Sequence, residues 1–229
     1  MDTDLATRLL EVDTSIAGAA RSAGRDPETI TRIVITKFHP PSLVEELYRL
    51  GVRDAGENRQ QELTEKAALL GGLTELRWHF VGQLQTKKAR AVRQAASVVH
   101  SVDRDRVADA LDRVATDGEP PLDVLIQVNL TDDPGRGGVA PEGIEGLAEH
   151  VAGCGTLRLR GIMSVAPLGE PAAPAFERLA GYAQRLRRVV PDADWMSAGM
   201  SADFREAIAA GATHLRIGSA ITGPRPERR

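Results

Sequence analysis

RIVITKFHPPS, residues 32–42, is the stretch that decides how this chain folds. Ile33, Val34 and Ile35 make a short β-branched run, and Pro40-Pro41 closes it, the pattern of a buried strand. The run ends in Lys37. Taking an ammonium out of water is costly unless it is paired. A lysine directly behind such a strand therefore either reaches into solvent or sits at a strand mouth where an imine-forming amine is wanted. This stretch alone favours solvent, the commoner fate of a strand-end lysine.

Outward from there the chain alternates. Residues 4–22 space Leu5, Leu9, Val12, Ile16 and Ala19 or Ala20 along one helix face, and Gly24 closes that helix. Apolar strand candidates follow at 32–36, 52–55, 78–81, 97–101, 122–130, 157–164, 194–198 and 213–217. Helical spacing separates them, as in Val107-Leu111-Val114, Ile144-Leu147-Val151 and Phe176-Leu179-Ala183-Leu186. Strand-then-helix repetition without hairpin turns demands parallel pairing, because each helix must carry the chain back across the sheet. Eight such units predict a single α/β domain, a (β/α)8 TIM barrel over residues 1–229. A doubly wound open sheet is the rival architecture. Disorder is expected only in the tail PRPERR, residues 224–229.

Composition narrows the function. Apolar residues make up 42% and charged residues 27%, enough for a real core. Only eight residues are aromatic, so aliphatic side chains must fill the interior. A net charge of −3 offers no field to nucleic acid or to an anionic membrane. RLRRVV reads as a solvated helix face. The one cysteine, Cys154, excludes an internal disulfide and a thiolate zinc site, and reads as a small structural residue. With no signal peptide and no long apolar run, a cytoplasmic location is expected.

In a barrel the active site gathers at the strands' C-terminal ends, so those ends carry the functional signal. They supply Thr36 and Lys37, then Glu57 and Asn58 from AGEN, then His79 inside WHFVGQ with Gly82 and Gln83 beyond it. HSVDR, IQVNL, GIMSVAP, SAGMS and LRIGSAITG follow. In SAGMSADFREAI, Ser201 is a plausible N-cap whose helix presents free N–H groups to an anion. In RIGSAITG, Gly218 and Ser219 follow the last strand. The loops after the last two barrel strands are the usual phosphate site, and these segments are those loops. A phosphate cradle opposite a strand-end lysine suggests pyridoxal phosphate, which needs an amine, N–H donors and a partner for its pyridine nitrogen. Arg216 points the same way as Gly218 along its strand and could be that partner, or it could form a rim salt bridge.

These motifs together resemble the pyridoxal phosphate homeostasis proteins, small single-domain relatives of the fold-type III alanine racemases. VITKFHP, GENRQQE, WHFVGQLQTKK, HSVDR, VLIQVNL, LRGIMSVAP and SAGMSADFREAIAAGATHLRIGSAITG carry the likeness from Ile33 to Gly223. The resemblance implies a (β/α)8 barrel with pyridoxal 5'-phosphate in imine linkage to Lys37. It implies phosphate contacts from Ser201, Gly218 and Ser219, with Arg216 near the pyridine nitrogen. Asn58, His79, Met163 and Met200 would lie around the cofactor. Two features depart from the pattern: Phe38 stands where relatives commonly have a small hydroxyl residue, and DDPGRGGV replaces a lysine-containing loop.

Two functions follow. One is a carrier that holds pyridoxal phosphate and delivers it to apo-enzymes, expected to be a monomer without substantial catalysis. The other is an amino-acid racemase, which needs a second acid–base facing Lys37. In the related racemases that group is a tyrosine, whereas Tyr48 and Tyr182 lie in helical segments here. His79 is a conceivable substitute. An arginine at the pyridine nitrogen also weakens the ring as an electron sink, so the carrier is the expected function.

Overall fold

Strand after strand pairs with its sequence neighbour until the last returns to the first. The computed structural model describes residues 4–133 and 135–225. Its strands are β1 (Thr31–Ile35), β2 (Asp54–Glu57), β3 (Arg77–Phe80), β4 (Val98–Val102), β5 (Leu122–Gln127), β6 (Leu157–Met163), β7 (Trp195–Ser197) and β8 (His214–Ile217). They close into one parallel barrel in chain order, β1 to β8. The seam is sealed by β1 against β8, with Ile33 opposite Arg216 and Val34 opposite Ile217. The closed sheet settles the choice against an open, doubly wound one.

The helices are α1 (Leu5–Ser22), α2 (Pro41–Arg49), α3 (Gln60–Leu69), α4 (Ala89–Ala95), α5 (Asp105–Arg113), α6 (Ile144–Ala152), α7 (Ala172–Val189), α8 (Phe204–Ala209) and α9 (Ser219–Thr222). Helix α1 starts where Asp4 caps it by accepting from the Thr7 N–H at 2.7 Å. It buries Leu5, Leu9, Ile16 and Ala20, much as its spacing predicts, and Arg8 ties it to the Ile221 carbonyl at 2.7 Å. The outward strand faces and inward helix faces share one large aliphatic core that includes Val34, Val99, Val124, Leu111, Leu147, Phe176 and Leu179.

Inside the barrel the composition changes. Val98, Leu125 and Met163 form a small apolar cluster there, with Trp195 packed against them. Asp54, His79, His100, Ser197, His214 and Arg216 are buried polar residues on these strands. Buried polar groups need partners, and these find them chiefly in one another, as set out below.

Some boundaries differ from expectation. The second strand lies two residues later than 52–55, because Val52 is still used to close helix α2, its N–H donating to the Leu47 carbonyl at 2.9 Å. Glu57 is thus the last strand residue and fully buried, not a mouth residue. The fifth strand stops at Gln127, three residues before the expected 130. Asn129 N–H then donates to the Val139 carbonyl, and the chain turns into the 131–139 loop. A register shift between β5 and β6 falls beside Gly161, at φ +154. A Cβ there would stand 1.8 Å from the Trp195 carbonyl oxygen, so only glycine fits this bulge. Of the tail expected to be disordered, Arg225 packs 3.8 Å from the centroid of the Phe38 ring, and residues 226–229 lie outside the described ones.

Candidate functional site

The barrel's C-terminal mouth holds a cavity of about 490 Å3, a size suited to a small cofactor. Eight of the nine residues expected from sequence line it: Lys37, Asn58, Met163, Met200, Ser201, Arg216, Gly218 and Ser219. They come from the ends of β1, β2, β6, β7 and β8, so barrel closure is what brings them together.

Lys37 sits in the turn two residues beyond β1, exposed yet facing the cavity. Its ammonium makes no hydrogen bond or ion pair among the described residues. The turn that presents it is held firmly. The Thr36 hydroxyl donates to Glu57 Oε1 at 2.6 Å, while the buried Lys66 ammonium donates to the Thr36 carbonyl at 2.8 Å and to the same Glu57 oxygen at 2.6 Å. Burial pushes the Glu57 carboxyl up, with the Lys66 charge acting against it. Next in the turn, Phe38 has φ +69, a left-handed conformation that costs a non-glycine residue about 1–2 kcal/mol. Its N–H donates to Glu62 Oε2 at 2.7 Å, and its ring lies between the guanidinium groups of Arg59 and Arg225.

Across the cavity, Ser201 does not cap a helix as the sequence suggests. Helix α8 begins at Phe204 with Asp203 at its cap, and Asp203 accepts from the Met200 N–H at 2.6 Å. Ser201 and Ala202 instead form a turn at the cavity edge, and α9 starts at Ser219. The backbone N–H groups of Ser201, Ala202 and Ser219 donate to no acceptor among the described residues. Three free donors on one side of a cavity can receive an anion.

Arg216 is buried and forms no salt bridge among the described residues, so the rim pairing is not seen. Its guanidinium donates to Ser197 Oγ and to the Ser164 carbonyl, both at 2.7 Å. Burial lowers its pKa to about 10, which still leaves it fully charged near neutrality. His79 is the ninth expected residue, and it does not line the cavity. It is fully buried inside the barrel, bonded to Asp54 through Nε2 and to His100 through Nδ1. Its place in mid-strand, not at a strand end, aims it at the barrel core.

Sequence reasoning left out Ile35, Val81, Gln127, Val165 and Ala202, which complete the lining. Most sit in the quoted strand-end motifs beside residues that were singled out. Gln127 also reaches the divergent loop, its Nε2 donating to the Gly137 carbonyl at 3.0 Å. Gly137 of the DDPGRGGV segment is therefore tied to a residue of the cavity wall.

A parallel barrel with a lysine after its first strand and free N–H donors after its last two suits the alanine racemase N-terminal domain class, and residues 41–226 match that family. Within that class, the chain belongs to the pyridoxal phosphate homeostasis proteins. It is 40% identical over 225 residues to the pyridoxal phosphate homeostasis protein of Pseudomonas aeruginosa, covering 96% of each chain. To that of Escherichia coli K12 it is 38% identical over 227 residues, covering 97% of each. Among solved structures, PipY of Synechococcus elongatus with PLP bound superposes with a TM-score of 0.84 at 32% identity, covering 96% of this chain and 100% of that one. Alanine racemase of Corynebacterium glutamicum shares the fold at 16% identity and a TM-score of 0.66, with 94% of this chain matching 61% of the larger one. No helix among the described residues is long and apolar enough to cross a membrane.

Proposed function

We propose that this chain binds pyridoxal 5'-phosphate, keeps the free cofactor in check and delivers it to recipient apo-enzymes, without substantial turnover of amino acids. It works in the cytoplasm as a monomer. The residues present fit the cofactor. Ser201, Ala202 and Ser219 would offer N–H donors to the phosphate, Met163, Val81 and Ile35 would offer apolar contact to the ring, and Arg216 would be the partner of the pyridine nitrogen. When bound, the cofactor supplies an aldehyde carbon for Lys37 to hold covalently. Arg216, a permanent cation, disfavours a second positive charge on the ring nitrogen. PipY, which binds PLP, is similar over its whole length and supports the assignment.

One observation favours carrier over racemase. Among the described residues lining the cavity, Lys37 is the only side chain with an acid–base group apart from the guanidinium of Arg216; the other polar ones are Asn58, Gln127, Ser201 and Ser219. Racemisation needs a second acid–base on the opposite face of the substrate carbon. Tyr48 lies on α2 with its hydroxyl toward Glu75, and Tyr182 lies on α7 beside Arg185. His79 is committed to its partners inside the barrel.

The test loads the protein with pyridoxal phosphate, reduces it with borohydride and maps the modified peptide by mass spectrometry. Label on the Lys37 peptide, lost in Lys37→Ala, is the expected result. Label on Lys87 or Lys88 instead would overturn the site. Incubation with L-alanine in deuterated water should give negligible D-alanine; formation at enzyme-like rates would overturn the carrier assignment.

A further inference from the structure

A line of hydrogen bonds runs through the barrel from one end to the other. Asp54 is the first residue of β2, at the end away from the cavity, and also holds Arg77 at 2.7 Å. Its Oδ1 lies 2.8 Å from His79 Nε2, and His79 Nδ1 lies 2.9 Å from His100 Nε2. His100 Nδ1 lies 3.0 Å from Ser197 Oγ, which accepts from Arg216 at 2.7 Å. Arg216 lines the cavity. Every intermediate member is buried, with His79, His100 and Ser197 at 0% exposure.

The two ends fix the direction of the whole line. A guanidinium can only donate and a carboxylate can only accept. Ser197 Oγ accepts from Arg216, and His100 Nδ1 is its one other hydrogen-bond partner among the described residues, so its own proton goes there. His100 then carries its proton on Nε2 and donates it to His79 Nδ1. His79 likewise carries its proton on Nε2 and donates it to Asp54. With both rings neutral, no other arrangement leaves every contact with one proton. An extra proton on either ring would set two donors against each other or turn the Ser197 hydroxyl proton away from its one acceptor.

We propose that Asp54, His79, His100 and Ser197 are positioning residues for Arg216, forming a one-way hydrogen-bond relay of two neutral imidazoles, each protonated on Nε2, that fixes the guanidinium at the cavity floor. Bonds aligned in one sense polarise one another, more so in a dry interior. Arg216 has no carboxylate bonded to it, and the relay ends its buried charge on one at the far side. Burial holds both imidazoles below their usual pKa, which agrees with neutral rings. His214, edge-on to His100 at 6.5 Å, spends its Nδ1 on the Thr213 hydroxyl and stands outside the line. The relay itself is independent of any ligand. Its effect on cofactor rests on the reading given under the proposed function.

The relay is tested first without cofactor, by nitrogen-15 NMR of histidine-labelled protein with each ring assigned by substitution. His79 and His100 should each show a protonated Nε2 and a bare Nδ1. A proton on Nδ1 of either ring, or an imidazolium at neutral pH, would overturn the proposal. The second measurement is pyridoxal phosphate affinity and absorbance in Asp54→Leu, which removes the accepting end, and Asp54→Asn, which keeps a carbonyl acceptor. Asp54→Leu should weaken binding about tenfold, the worth of one hydrogen bond to a charged group, and shift the bound cofactor's band. Asp54→Asn should restore both. If Asp54→Leu does not fold, Ser197→Ala cuts the same line by one oxygen and should give the same loss. Unchanged affinity and absorbance in a folded Asp54→Leu or Ser197→Ala would refute the positioning role. Failure of the wild type to bind cofactor while showing the expected tautomers would refute the proposed function and leave the relay standing.

Discussion

Replacing Lys66 by methionine should destabilise the barrel by about 3–5 kcal/mol, the range for breaking a buried ion pair by removing one partner. Lys66 is 3% exposed and Glu57 0%. Methionine keeps much of the lysine stem, so little packing is lost. What goes are the 2.6 Å bond to Glu57 Oε1 and the 2.8 Å bond to the Thr36 carbonyl. Each bond from a charged donor is worth about 1.5–3 kcal/mol. Glu57 is then left as a buried carboxylate whose Oε2 already lacks a partner. Burial raises the Glu57 pKa above 4.5, and Lys66 is the largest influence opposing that rise. A carboxyl with a raised folded-state pKa adds stability that is full below its unfolded value and fades as pH climbs through the folded one. The penalty in Lys66→Met should therefore be smallest near about pH 5 and grow toward pH 8. Urea denaturation of wild type and variant across that range, followed by tryptophan fluorescence, measures it. Adding Glu57→Gln should recover part of the loss at alkaline pH and little at acid pH. A penalty below about 1 kcal/mol, as for an exposed pair, or one that ignores pH, would refute the reasoning.

Two further outcomes follow from the geometry. A Cβ at Gly218 would meet only Ile35, at 3.7 and 3.8 Å, which is ordinary contact. Gly218→Ala should therefore fold with wild-type stability yet bind pyridoxal phosphate more weakly, as equilibrium titration would show; unaltered affinity would remove Gly218 from the phosphate edge. Burial lowers the pKa of His79, His100 and His214, the last to about 3, and half-buried His39 moves the same way. Histidines held neutral in the fold lose stability as pH falls below 6.5, each by up to about 1.4 kcal/mol per pH unit. Urea midpoints should drop steeply from pH 7 to about 5, and flat midpoints would show that the rings charge freely in the folded barrel.

Much of this was legible in the sequence because strand cores and strand ends have different chemistry. Ile33-Val34-Ile35 marks a strand by its β-branching, and Lys37, Ser201 and Gly218 mark the mouth by being polar or small where an apolar run stops. Eight units pointed to a barrel with an open doubly wound sheet as rival, and the β1–β8 seam settles it. Three things were not legible. The start of β2 was misplaced because Val52 is apolar for the sake of a helix end, not of a strand. Ser201 resembles a cap, but Asp203 takes that role two residues later, and local sequence offers both. The Lys66–Glu57 pair and the histidine line join residues on different elements, with side chains meeting only after the barrel closes. His79 was noticed for its proximity to a mouth motif; mid-strand placement decides that it looks inward instead.

The seam between the first and last strands has a consequence for how the protein comes into being. Thr31 to Val34 of β1 pair with His214 to Ile217 of β8, so the two walls that carry Lys37 and the Gly218–Ser219 edge are made at opposite ends of synthesis. A nascent chain holds the amine early but has nowhere to seat a phosphate until its final strand emerges. Long-range pairing of this kind is slow, since the ends must find each other across the whole contour. Occupancy of the cavity thus certifies a closed barrel. Any ligand seated there also favours the closed barrel over every partly folded one, in proportion to its concentration relative to its dissociation constant.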